Sequence, residues 1–127
     1  PMLIRAAKKL IAESMSQLAV SYRNGPLSED HHVKGSRLRA GDRSPIAFPF
    51  ETFTLLVTGD ATAPEGMDRY AGFVAVRHEQ NLLQFASSEP ALFLIRPDQY
   101  LAFRGSTARA GAALMSYLER LLPHVRL

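Results

Sequence analysis

The N-terminal part of the chain carries apolar residues with a helical period. The stripe recurs mainly at three- and four-residue steps, which predicts an amphipathic helix from residue 3 to about residue 20; its positions are Leu3, Ala7, Leu10, Ile11, Ser14 and Leu18. Residues 21–52 break this pattern with repeated Gly and Pro, which are turn and loop residues. Because so long a loop is unusual within a compact domain, we expect a connecting arm, with the helix docking on another surface.

From residue 53 the pattern becomes regular. Apolar runs at 53–58, 73–77, 92–96 and 100–104 predict four strands, the first two of them buried. The turn residues at 97–99 join the last two runs into a hairpin. Residues 61–70 form a short helix or a loop, and residues 78–90 are expected to be irregular. A final helix is capped by Ser106 or Thr107 and stops at Pro123; its apolar positions are Ala110, Leu114, Leu118 and Leu121.

This order of elements predicts an α/β fold. Two strands, a hairpin and a closing helix follow the order of a thioredoxin-like mixed sheet flanked by helices, and an α+β sheet of another topology is the alternative. The expected organisation is an N-terminal helix over 1–20, a connecting arm over 21–52 and a thioredoxin-like core over 53–127.

Composition narrows the function. The 127 residues include no cysteine, which excludes disulfides, thiolate metal sites and dithiol exchange, and fits a reducing, cytoplasmic location. The formal charge of +3 is small and the arginines are scattered, so we expect no nucleic-acid partner. The main basic cluster reads as a solvated loop and comprises Lys34, Arg37, Arg39 and Arg43. No apolar run reaches the ~20 residues of a membrane span, and the first 15 residues do not resemble a signal peptide.

The sequence does not support metal binding, direct flavin contact or nucleophilic catalysis by this chain. The neighbours His31 and His32 point in different directions on any regular element, so we expect no metal site. The pair Gly41-Asp42 is reminiscent of flavin-binding motifs, but no Gly-x-Gly-x-x-Gly accompanies it. It is therefore interpreted as a turn, with Asp42 accepting backbone amides and Arg43 in a local ion pair. No serine triad or separated carboxylate pair stands out, so we expect no catalytic, cofactor-binding or metal-binding residues.

Three segments carry a family resemblance. Residues 94–104, Leu-Ile-Arg-Pro-Asp-Gln-Tyr-Leu-Ala-Phe-Arg, resemble a pattern near the end of flavin-dependent aromatic hydroxylases, Leu-Val-Arg-Pro-Asp-Gly-(aromatic or His)-(Ile/Val)-Ala-Trp-Arg. These are monooxygenases of the phenol and dichlorophenol hydroxylase type, including polyketide hydroxylases. Residues 22–27 are similar to their Tyr-x-x-Ser-Pro-Leu, and residues 40–45 to their Gly-Asp-Arg-Ala-Pro. The order and approximate spacing of the three segments also agree.

The resemblance implies a thioredoxin-like C-terminal domain without redox cysteines, which contributes packing or dimerisation. The parent enzyme of that family uses NAD(P)H to reduce FAD and hydroxylates an aromatic ring. The implied partners are a second copy or the FAD and substrate domain, with no membrane and no cofactor on this chain. The structural motif residues implied are Tyr22, Pro26, Leu27, Gly41, Asp42, Arg43, Pro45, Pro90, Arg96, Pro97, Asp98, Tyr100, Phe103 and Arg104.

Three positions depart from the family pattern. Gly25 stands for Ser, Phe103 for Trp, and Gln99 for Gly. At the end of a three-residue hairpin loop Gln99 is expected to have a positive φ, so replacing it with Gly is expected to stabilise the domain by up to about 1 kcal/mol. Glu89-Pro90 before a strand resembles the cis-proline entrance of thioredoxin folds, although most X–Pro bonds are trans.

Two main functions remain open at this point, with a small enzyme in its own right as a third alternative. The first is the non-catalytic structural or dimerisation domain just described. The second is a stand-alone ligand- or partner-binding module of the same fold, without redox activity. A reading frame that continues upstream into a Gly-x-Gly-x-x-Gly domain favours the first, and one that starts near Met2 favours the second.

Overall fold

The computed structural model describes residues 28–60, 62–80 and 82–121. Residues 1–27, with the predicted amphipathic helix, lie outside these ranges. The strands are β1 (Glu29–Asp30), β2 (Phe53–Thr58), β3 (Val74–Glu79), β4 (Ala91–Ile95) and β5 (Leu101–Ser106). Helix α1 (Thr107–Leu121) follows β5 directly, and two short 3-10 helices span Met67–Tyr70 and Leu83–Phe85.

The five strands form one mixed sheet in the order β1-β5-β4-β2-β3. β2 and β3 are parallel, β4 is antiparallel to both β2 and β5, and β1 is parallel to β5. The four strands expected from the apolar runs and the helix after them are all present. This mixed sheet with its C-terminal helix is consistent with an α/β thioredoxin-like fold, so the predicted fold class is confirmed.

The strands differ in burial according to their place in the sheet. All residues of β2, β4 and β5 are buried, because these strands have neighbours on both sides and covered faces. β3 is an edge strand, and only Val74 of its six residues is buried. The prediction of a second buried strand at 73–77 was therefore wrong in its burial, because an apolar run alone does not distinguish a central strand from an edge strand.

One face of the sheet is covered by α1. Ala110, Leu114, Tyr117, Leu118 and Leu121 are the buried residues of this helix, and they recur with the helical period. They share a hydrophobic cluster with β2, β4 and β5 side chains and with the 3-10 helix at Met67–Tyr70. The helical period in the sequence therefore accounts for this half of the core.

The opposite face is covered by irregular chain. Its cluster combines strand residues with Val33, Phe48 and Phe85, and Leu38 and Ile46 pack at its margin. Phe85 lies between the rings of Phe48 and Phe93 in edge-to-face contacts, with centroids 5.9 and 5.2 Å apart. The described part of the predicted connecting arm thus lies against the sheet and supplies part of its core.

Candidate functional site

Two of the three segments with the family resemblance lie side by side, and the first, residues 22–27 with Tyr22, Pro26 and Leu27, falls outside the described residues. The Gly41 amide donates to the Leu101 carbonyl at 2.7 Å, and the Leu101 amide donates to the Asp42 carbonyl at 2.8 Å. These reciprocal bonds join residues 40–45 to the hairpin of residues 94–104. The two motifs form one continuous structural unit.

The segment 40–45 is a turn, as expected. Asp42 Oδ2 accepts the Arg39 amide at 2.8 Å, and the Asp42 amide donates to the Arg39 carbonyl at 3.0 Å. Gly41 has a φ of 96°, a left-handed conformation that favours glycine. Arg43 forms an isolated antiparallel bridge with Tyr100 through its backbone, and the local ion pair expected for its side chain is not found among the described residues.

The polar groups of this turn form hydrogen bonds with other residues of the same chain. Both the backbone of Gly41 and a carboxylate oxygen of Asp42 are engaged by groups of the same chain. Pro45 follows the turn at an exposed position, after Ser44, whose amide donates to the Gln99 carbonyl at 2.7 Å. The Gly-Asp pair therefore joins two parts of the same chain through hydrogen bonds.

The hairpin turn contains the non-glycine residue with positive φ. Gln99 has a φ of 73°, which confirms the conformation expected from the family pattern. Its side chain is buried. Oε1 accepts the Phe48 amide at 2.7 Å, and Nε2 donates to the carbonyls of Phe48 at 3.0 Å and Pro97 at 2.9 Å. The Gln99 amide group thus pairs with Phe48 as a neighbouring strand would, and it holds the irregular segment to the hairpin.

Arg96 and Asp98 form a bidentate ion pair within the same turn. Arg96 Nε donates to Asp98 Oδ1 at 2.8 Å, and Arg96 Nη2 donates to Asp98 Oδ2. Only 1% of the Arg96 side chain is exposed, whereas Asp98 remains partly open to solvent. A guanidinium matches a carboxylate in this planar geometry, which orders both side chains around the buried Pro97.

Arg104 makes the second buried arginine contact. Its Nη1 donates to the Leu38 carbonyl at 2.6 Å, and its Nη2 donates to Asp30 Oδ2 at 2.7 Å. The other oxygen of Asp30 accepts the Ala40 amide at 2.9 Å. Arg104 therefore connects β5 to β1 and to the irregular segment after it.

Phe103 lies on the α1 side of β5 and is fully buried. Its ring centroid is 5.3 Å from that of His31 and 6.0 Å from that of Tyr117. Burial raises the pKa of the Tyr117 phenol well above its usual range, so this hydroxyl stays neutral. The phenyl ring keeps the apolar contacts of this position without an indole N–H to satisfy.

The neighbouring histidines have different surroundings. His31 Nε2 lies 2.8 Å from Glu29 Oε2, while His32 is exposed. Burial opposes the charge of Glu29, but hydrogen bonds from His31 and Arg120 outweigh it and lower the pKa of this carboxyl. Within residues 28–60, 62–80 and 82–121, no three His, Asp or Glu side chains are grouped so that they could hold a metal ion.

Pro90 connects β4 to the start of α1. The Glu89–Pro90 bond is trans, unlike the cis bond at the corresponding entrance of thioredoxin folds. The Pro90 carbonyl accepts the Thr107 amide at 3.2 Å, and the Thr107 hydroxyl lies 3.4 Å from the same oxygen. This exposed proline thereby fixes the position where the helix begins.

A cavity of about 340 Å³ opens beside Pro90 at the carboxyl end of β2. Thr58, Asp60, Leu83 and Glu89 are among its lining residues. A hydrogen bond from the Lys34 amide is the main cause of the lowered pKa of Glu89, and Arg109 contributes as well. The chain has no cysteine, so the site offers carboxylates and apolar surface without a thiol.

Comparison with known proteins identifies a partial relative. The chain is 30% identical over 122 residues to a flavin-dependent monooxygenase from Mycobacteroides abscessus, an alignment that takes in 87% of this chain and 24% of that protein. The chain therefore spans about a quarter of the length of the curated relative that it matches. No family model matches the chain, and no solved structure matches it. In the described ranges, no helix is long and apolar enough to cross a membrane.

Sequence reasoning missed the two acceptors that give the arginine and the glutamine their structural roles. Asp30 follows another acid in a polar stretch, and Phe48 lies between two prolines, so neither belongs to a periodic pattern. Long-range pairing of a buried side chain with a distant backbone leaves no spacing signal. The turns at Gly41-Asp42 and Pro97-Asp98 could be predicted because glycine, proline and aspartate are typical turn residues.

Proposed function

We propose that the chain is a non-catalytic structural and dimerisation domain of a flavin-dependent aromatic-ring monooxygenase. The observation that carries this proposal is the union of the two family-like segments. Their polar groups bind the backbone and side chains of the same chain, as Gly41 does with Leu101 and Arg104 with Asp30. A segment whose polar groups are used in this way supports the fold and leaves those groups unavailable for a substrate.

The partial relative supports one part of this proposal, that the chain is a domain of a flavin-dependent monooxygenase. It is named a flavin-dependent monooxygenase, and the match takes in a quarter of it, as expected of one domain in a larger enzyme. For the parent enzyme we propose NAD(P)H- and O2-dependent hydroxylation of a phenolic or polyketide substrate. FAD and NAD(P)H would bind to the parent's other domains, and the whole enzyme would be cytoplasmic.

Flavin titration of the purified 127-residue chain tests the non-catalytic role. We expect a colourless protein and no change in FAD fluorescence or absorbance at protein concentrations up to about 100 μM, a range in which a site with a Kd of about 1 μM would be saturated. The Asp42→Ala variant is the matched comparison, because it removes the carboxylate of the flavin-like pair. Stoichiometric FAD binding that this variant abolishes would overturn the proposal.

A stand-alone binding module is the second candidate, and the cavity beside Pro90 favours it. The cavity lies at the carboxyl end of β2, where open α/β sheets commonly bind ligands. The native reading frame separates the two candidates. An upstream continuation into a Gly-x-Gly-x-x-Gly domain supports the monooxygenase domain, and a frame starting near Met2 supports the module.

A further inference from the structure

Three large apolar side chains are exposed in the described part of the chain, and one of them, Val76, lies on the edge strand β3. They are Phe50, Val76 and Leu83, with exposed fractions of 68%, 40% and 85%. Val76 belongs to β3, and Leu83 follows the end of β3 by four residues. Phe50 comes two residues after Phe48, whose ring lies 5.6 Å from the Arg77 guanidinium on β3.

β3 also presents unpaired backbone groups. It pairs with β2 on one side, and on its other side no strand of the described residues pairs with it. The Phe53 amide donates to the Phe73 carbonyl, so Phe73 faces β2. Because backbone groups alternate in direction along a strand, those of Val74, Val76 and His78 point away from the sheet. An edge of this kind can accept a further strand.

The charges of β3 favour a second copy of the same strand as the partner. Arg77 and Glu79 lie on one face, with Nε and Oε1 2.8 Å apart. In an antiparallel pair centred on His78, Arg77 of each copy lies opposite Glu79 of the other, and the outward backbone groups of His78 face each other. Centring the pair on Arg77 instead would set like charges opposite each other, which destabilises a sheet.

The two ends of β3 fit the same symmetry. Antiparallel pairing brings the beginning of each β3, at Val74, towards the end of the other copy's β3, at Glu79. A two-fold axis makes this contact twice, since isologous interfaces are self-complementary. We therefore propose that the chain self-associates through β3, with two copies continuing one antiparallel sheet across a two-fold axis at His78. This inference rests on the dimerisation role proposed above.

Complementary charge reversal tests both the surface and the register. Arg77→Glu gives a copy with two acids at these positions, and Glu79→Arg gives a copy with two arginines. Each variant alone would place like charges opposite each other, so we expect its dimer to dissociate about tenfold more readily than the wild-type dimer. An equimolar mixture restores both opposite-charge pairs, so we expect a mixed dimer within about threefold of wild-type affinity.

Sedimentation equilibrium of the full chain measures the dissociation constants, and native mass spectrometry identifies the mixed dimer. Arg39→Glu and Glu65→Arg are matched controls, because they make the same charge changes at exposed positions away from β3. Thermal melting followed by circular dichroism confirms that each variant is folded. If the wild-type chain stays monomeric at high concentration, both this inference and the dimerisation role fail. If it dimerises but the β3 variants do so equally well, or mixing restores nothing, the β3 pairing fails and the dimerisation role stands.

Discussion

The two faces of the sheet are covered by different kinds of structure. α1 covers one face with a periodic row of apolar residues, among them Leu114 and Leu118. The segment after β1 covers the other face without regular structure, and it is held by bonds from Gln99 and Arg104. Both faces exclude water from the same strands, although only one uses an α-helix to do so.

The difference shows what an irregular layer needs in order to pack as well as a helix. A helix satisfies its own backbone groups, so it requires only an apolar stripe to dock. An irregular segment must have its amides and carbonyls satisfied from outside when it is buried. Here the hairpin supplies those partners, as when Gln99 binds both backbone groups of Phe48. Individual polar residues therefore matter more on this face than on the α1 face.

The largest loss of stability is expected from a substitution that creates a cavity on the α1 face. Leu114 is fully buried, so Leu114→Ala should lower the free energy of unfolding by about 3 to 4 kcal/mol. Urea denaturation followed by circular dichroism measures this loss. Ser116→Ala, at an exposed position of the same helix, is the control and should change stability by less than about 0.5 kcal/mol. A small effect of Leu114→Ala would mean that α1 is not tightly packed on the sheet.

Loss of Arg104 should act mainly on the irregular face. Arg104→Ala leaves Asp30 and the Leu38 carbonyl without their partner, so we expect a loss of about 2 kcal/mol, less than for a fully buried pair because Asp30 is partly exposed. Hydrogen exchange should increase in residues 31–48 before it increases in α1.

Arg109→Ala is the control for this change, since it removes an arginine from an exposed ion pair with Glu89 and should cost less than about 1 kcal/mol. Equal acceleration of exchange on both faces in Arg104→Ala would contradict a separate anchoring role for Arg104.

Substitutions at Gln99 separate conformational strain from hydrogen bonding. Gln99→Ala loses three hydrogen bonds and keeps a side chain at positive φ, whereas Gln99→Gly loses the bonds but relieves the strain. Gln99→Gly should therefore destabilise by about 2 kcal/mol, contrary to the gain expected from the backbone alone, because three lost bonds worth about 1 kcal/mol each outweigh about 1 kcal/mol of relieved strain. The glycine variant should still be more stable than the alanine variant by about 1 kcal/mol. Chemical denaturation of both variants is the measurement, and equal stability would contradict the strain.

The smallest effect on stability is expected from protonation of Glu89 at low pH. The pKa of Glu89 is lowered by the Lys34 amide bond, so its contribution is present above the ordinary carboxyl pKa of 4.5 and is lost as the pH falls through the depressed value in the folded protein. Urea midpoints measured from pH 7 to pH 3 should fall less steeply for Glu89→Gln than for the wild type. Glu29 also has a lowered pKa, so the urea midpoint of the Glu89→Gln variant should still fall with pH, although less steeply. Identical slopes would exclude a contribution from Glu89.

Periodic and turn-forming residues made the regular half of the fold predictable. The apolar runs predicted β2, β4 and β5, the helical period predicted α1, and the family pattern predicted the positive φ of Gln99. These features are encoded by neighbours in the sequence, and local patterns are sufficient to detect them.

Other features depend on residues that are distant along the chain. β1 is only two residues long and exists because β5 pairs with it, and the exposure of β3 follows from its place at the edge. The packing of Val33 and Phe48 on the sheet has no period to reveal it. The sequence indicates only the backbone conformation of Gln99. The partner of its side chain, Phe48, lies 51 positions earlier and leaves no local signal.

The pairing of β1 with β5 also constrains the order in which the protein can fold during synthesis. The ribosome releases residues 28–48 before any strand that they cover, and the partner of β1 emerges only when Phe103 and Arg104 have left the exit tunnel. Until then the surface on which Val33 and Phe48 bury their side chains is incomplete. The nascent chain must therefore carry this segment without its complete partner surface until β5 has emerged, and the irregular layer closes in one late, long-range step whose cost grows only slowly with the length of the loop.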